Sequence, residues 1–84
     1  MKTEWLEKKK KIQSATFERL INHLSQRNDV QNIDLMNLAG FCRNCLSRWL
    51  HEESAKEGIP IREEEAEEQV YGMSKTEWKK KYQK

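Results

Sequence analysis

The sequence predicts an all-α protein, a small array of four helices in which two long helices precede two short C-terminal ones. Three observations carry that prediction. Apolar residues recur at intervals of three and four, as on one face of a helix, and no stretch alternates apolar with polar residues as a strand would. Gly58, Pro60 and Gly72 fall between the periodic stretches, where helices end. Charged residues make up 36% of the 84 positions and hydrophobic residues another 36%, a balance that suits narrow apolar stripes on solvated helices. The chain is short enough for one all-helical domain over residues 1–84, with 1–14 as a lysine-rich extension of the first helix.

The first helix is expected after Thr3, which can cap it, with Glu4 and Glu7 complementing the dipole of its first turn. Its clearest stripe is Phe17, Leu20, Ile21 and Leu24, and Trp5, Ile12, Thr16 and His23 form a flanking strip. Asn28-Asp29 is turn chemistry and should stop it near Arg27. The second helix should begin at Asn32 or Asp34 and run to Glu57, closed by Gly58 with Pro60 beyond. Plotted at about 100° per residue, Leu35, Leu38, Ala39, Cys42, Cys45, Leu46, Trp49 and Leu50 fall within an arc of about 140°. Met36 and Phe41 flank that arc, and Gly40 reads as a notch where another helix approaches. So wide an apolar face makes this the central helix. A third helix, about Arg62 to Tyr71, ends at Gly72. A fourth starts after Ser74, because Ser74-Lys75-Thr76-Glu77 is a capping-box pattern, and continues through Tyr82.

Charge narrows the function classes. The net charge is only +2, and the aromatics are not interleaved with a basic groove, which argues against nucleic acid as a partner. Lys8 to Lys11 and the C-terminal Lys75, Lys79, Lys80, Lys81 and Lys84 are basic, and Glu63, Glu64, Glu65, Glu67 and Glu68 form an acidic block between them. Such blocks read as solvated helix faces that can pair within a molecule or between copies. No apolar run approaches the ~18 residues needed to cross a bilayer. The start Met1-Lys2-Thr3-Glu4 lacks the apolar stretch of a secretory signal. The expectation is a cytoplasmic protein with reduced thiols and no membrane contact.

Both cysteines, Cys42 and Cys45, lie three residues apart. The spacing fits a metal site, a redox pair, or two small residues on a buried helix face. With His23 and His51 a Cys2His2 zinc site is arithmetically open. A single straight helix, however, puts His51 on the side opposite the cysteines, with Gly40, Asn44 and Ser47. A redox role asks for an exposed thiol at a helix start, and this reading places both thiols in mid-helix, facing inward. A disulfide between residues three apart on a regular helix would strain the backbone. The reading preferred here is that both thiols fill space between helices, with no cofactor bound. The chain has no Gly-rich phosphate loop, nucleophile elbow or His-Glu-x-x-His helix, so no enzymatic activity is expected.

The run Asp29-Val30-Gln31-Asn32-Ile33-Asp34-Leu35-Met36-Asn37-Leu38-Ala39-Gly40-Phe41-Cys42-Arg43-Asn44-Cys45-Leu46, followed by Trp49, by Val70-Tyr71-Gly72-Met73 and by Glu77-Trp78-Lys79, resembles the short bacterial family called domain of unknown function 1244. The resemblance covers about Ala15 to Gln83. It implies a small all-helical protein and no particular activity. The chain departs from the family pattern at Ser74 and Lys75, where proline and an aromatic are usual, and at Leu50, where an aromatic is usual.

The functional expectation is a self-associating interaction module, a homodimer that could also take an unidentified protein partner. Its expected contact residues are Met36, Gly40, Phe41, Arg43, Asn44, Trp49 and Trp78. Asn37, Arg43 and Asn44 could instead hold a small ligand, or cap loops from neighbouring helices, and the last reading is preferred. The alternative from another class is a metal- or thiol-dependent factor built on Cys42 and Cys45, with His23 or His51.

Overall fold

The computed structural model describes residues 2–84, with side chains from Thr3 onward. Five α-helices follow in order: α1 (Lys2–Ser25), α2 (Asn32–Ala39), α3 (Arg43–Lys56), α4 (Glu63–Tyr71) and α5 (Lys75–Tyr82). No strand occurs among the described residues. The all-α class is as expected, but the expected count of four is one short, because the long central helix is two helices.

Gly40 makes the division. It adopts a left-handed conformation, φ +76°, and its N–H bonds back to the Met36 carbonyl at 3.0 Å, closing α2. The chain is then extended at Cys42 (φ −145°, ψ −176°) and turns helical again at Arg43. A Cβ added at Gly40 would meet no atom within 4 Å. The glycine therefore serves the backbone and is not a notch for a packed helix, as the sequence reading had it. The continuous apolar arc dissolves with the helix that would have carried it, and Leu38 is 88% exposed.

The other boundaries follow local chemistry. The Ser74 hydroxyl accepts the Glu77 N–H at 3.2 Å and so satisfies one of the free donors at the start of α5. Gly72 ends α4 in the left-handed region. The acidic block lies on α4, where Glu63, Glu64, Glu65 and Glu68 face solvent.

α3, α5 and the second half of α1 all pack against α4. Leu24, Leu46 and Val70 form the centre of the core, with Phe17, Ile21, Leu35 and Phe41 around it. Tyr71 and Trp78 extend the core toward α5, their rings 5.4 Å apart, and Tyr82 lies against Trp78 at 5.8 Å. The molecule is elongated. Its radius of gyration is 14.4 Å, against about 12 Å for a compact chain of this length. The elongation comes from α1, in which every residue from Thr3 to Thr16 is exposed. No described helix is long and apolar enough to cross a membrane.

Candidate functional site

The start of α3 concentrates the unusual chemistry of the chain. Arg43, its first residue, is 1% exposed. Its guanidinium donates to the Val30 carbonyl at 2.8 Å, to Asn32 Oδ1 at 3.1 Å and to the Arg27 carbonyl at 2.9 Å. Its Cζ sits 4.7 Å from the centroid of the Trp78 ring. One side chain thus joins the α1–α2 loop, α3 and α5. Among the described residues it forms no ion pair. A buried charge is costly unless polar groups surround it, and here carbonyl oxygens and an aromatic face do so. Burial pulls the Arg43 pKa below its usual value.

A second chain of bonds runs beside it. Asn32 Nδ2 donates to the Tyr71 hydroxyl at 3.1 Å, and that hydroxyl donates to Asn44 Oδ1 at 2.5 Å. Trp78 Nε1 donates to Asn28 Oδ1 at 2.9 Å. Desolvation is the main cause that pushes the Tyr71 hydroxyl up to about 12. The preferred reading as caps for loops agrees with the bonds of Arg43 to the Arg27 and Val30 carbonyls, whereas Asn44 accepts from the Tyr71 side chain on α4 and Asn37 is exposed on α2. Sequence reasoning missed Asn28, Asn32 and Tyr71 as their partners. The asparagines at the turn and at the start of α2 were the available signal, read there only as turn and cap chemistry.

Between these bonds and the core lie the thiols. Cys42 is the N-cap of α3 and Cys45 is its third residue. Both are free and buried, and their Sγ atoms are 4.0 Å apart. The expected inward direction agrees with this burial. The expected mid-helix location does not, since the break after Gly40 puts the pair at a helix start.

The four candidate metal ligands do not converge. His23 is exposed on α1, and His51 Nδ1 lies 2.7 Å from the Ile61 carbonyl, in the α3–α4 connection. Among the described residues no three His, Cys, Asp or Glu side chains gather as a metal site would need.

The expected contact residues divide into two groups. Met36 and Trp49 are 40% and 45% exposed, Gly40 and Asn44 are at the surface, and Phe41 is half-buried with its ring 6.3 Å from that of Trp49. Arg43 and Trp78 are each 1% exposed and cannot meet a partner, because the network just described consumes them. A cleft of about 240 Å³ lies over α3 and α4, with Arg48, His51, Glu67 and Lys75 in its walls. Lys75 and Glu67 approach to 3.9 Å across it, so its charges largely answer one another and select no ligand class.

The chain belongs to the family described as Protein of unknown function (DUF1244), whose model matches residues 30–84. The match takes in α2 to α5, the thiol pair and the arginine network. It leaves α1 outside, so it starts later than the resemblance from Ala15 suggested. No curated protein matches the chain.

Proposed function

We propose that this chain is a protein-interaction module that docks onto a second copy of itself through the projecting half of α1. The observation that carries the reading is excess surface. The chain exposes 6730 Å², whereas a compact monomer of 10.1 kDa exposes about 5,300 Å². The surplus exceeds the ~800 Å² that one partner contributes to a standard interface. On the exposed half of α1, Trp5, Leu6 and Ile12 are 47%, 69% and 42% exposed. A helix of this length is marginal in water without packing.

Charge supports a second copy as the occupant. Lys8 to Lys11 form no ion pair among the described residues, and neither do Glu63, Glu64 and Glu68 on α4. A basic helix in one copy fits the acidic face of α4 in the other. Because each copy carries both surfaces, a two-fold axis would close the contact.

Light scattering over a concentration series tests this. The expected result is a two-chain mass at high micromolar concentration, reduced to one chain by Ile12→Glu and weakened by added salt. Leu38→Asp, on the exposed side of α2, should leave the two-chain mass unchanged. A one-chain mass for the unaltered protein sinks the reading, and dissociation by Leu38→Asp alone would move the interface to α2 and Trp49.

A further inference from the structure

We propose that Cys42 and Cys45 are a dithiol that closes reversibly to an intramolecular disulfide. The inference rests on placement, independently of the α1 surface. A cysteine at the N-cap is free of the helical geometry that keeps side chains three apart from bonding. Its backbone is extended, while Cys45 stands in the first turn, and the two sulfurs already lie 4.0 Å apart. Closing that gap to a bond of about 2.05 Å asks most of the N-cap residue, which lies outside the helix although its carbonyl accepts the Leu46 N–H at 3.1 Å.

The surroundings support exchange at this place. The thiols are buried, so a reagent reaches them by local opening. From Asn32 to Phe41 no residue is buried, and Gly40 sits two residues before Cys42. Only Leu35 and Phe41 of this segment pack against the core, so opening it exposes two half-buried apolar side chains and no fully buried one. Arg43 lies between the cysteines in sequence and holds a buried positive charge that forms no ion pair among the described residues. Thiol–disulfide exchange proceeds through an anionic sulfur, and each cysteine lies within two residues of this cation in sequence.

The reaction balances with a low-molecular-weight disulfide as oxidant, oxidised glutathione being the probe. One protein thiolate attacks a glutathione sulfur, breaks its S–S bond, and releases one glutathione thiolate. The other cysteine then attacks the protein sulfur of the mixed disulfide and expels the second. The protein loses two electrons and two protons, and the oxidant is reduced to two thiols.

The test is intact-mass analysis of the folded, full chain in glutathione buffers of graded oxidation. The expected product is lighter by two hydrogen atoms, monomeric in covalent terms, free of glutathione adduct, and restored by reduced glutathione. Cys42→Ser and Cys45→Ser should each accumulate the mixed disulfide instead, since no second sulfur resolves it. Circular dichroism on each variant confirms that it is folded before the comparison is made. Native protein that keeps both thiols while unfolded protein oxidises would overturn the proposal, as would a product dominated by adduct or by chains joined to one another. Neither failure would touch the docking reading, which uses no cysteine.

Discussion

The first half of α1 and the first turn of α3 are opposite solutions to the placement of cations in a small helical protein. In α1, four consecutive lysines stand in water with Trp5, Leu6 and Ile12 exposed beside them, and among the described residues no ion pair answers the charge. At α3, a single arginine is enclosed, and three oxygens and a ring meet its guanidinium. The contrast teaches that burial and exposure divide the cations between two regions. The arginine region holds the monomer together, and the α1 surface is the one proposed above for docking.

Breaking the enclosed side should have the largest effect. Trp78→Ala removes the ring under Arg43 and the stack on Tyr71, and should cost about 3–5 kcal/mol, enough to abolish cooperative unfolding in thermal denaturation of so small a domain. A loss below about 1 kcal/mol would mean that the arginine does not depend on its ring. Tyr71→Phe deletes both bonds of the buried hydroxyl, to Asn32 and Asn44, and should cost about 1–3 kcal/mol for the two together.

The same residue predicts a pH dependence. Its folded value is raised to about 12 from an ordinary 10.0, so the folded state holds the proton more tightly than the unfolded chain. The stability this lends is fully present below pH 10 and declines as pH climbs toward 12. Unfolding free energies measured across that range should fall for the unaltered protein and fall less for Tyr71→Phe. Equal slopes would place the hydroxyl in water.

A smaller effect is expected at the junction of the two regions. Gly40→Ala should cost about 1 kcal/mol, because an L side chain at φ +76° is strained although the space around it is open. The smallest effect on the monomer belongs to the exposed side. Trp5→Ala should change the stability of a dilute sample by less than about 0.5 kcal/mol while lowering the concentration-dependent mass seen by light scattering. If it destabilises the dilute chain as much as Tyr71→Phe does, the division between the two regions is wrong.

Much of the fold was legible because its signals are local. Gly58, Gly72 and Ser74 each act on the turn they sit in, and the helices they bound lie where the sequence put them within a residue or two. Gly40 carries the same signal as Gly72, but it stands inside an apolar rhythm that runs on at helical spacing, and the rhythm outweighed the break. The site was less legible because its bonds span the chain. Arg43 meets Arg27 sixteen positions away, and Trp78 meets Asn28 fifty positions away. Nothing near Arg43 in sequence marks it as interior, since a charged residue after a cysteine reads as surface until its acceptors are seen. The cysteines were correctly read as inward, yet their place at a helix start depended on the break that was missed.

The way Arg43 is held has a consequence in acid. Unfolding at low pH works by neutralising carboxylates that the native state relies on, and the enclosed cation is held chiefly by neutral oxygens and a ring, with Asp29 a lesser charge partner. Of the ion pairs acid would dissolve, Arg27 with Asp29, Lys56 with Glu53 and Arg62 with Glu65 are exposed and contribute little to the monomer, and Lys75 with Glu67 is half-buried but long at 3.9 Å. Acidification should therefore leave the fold of the single chain largely in place.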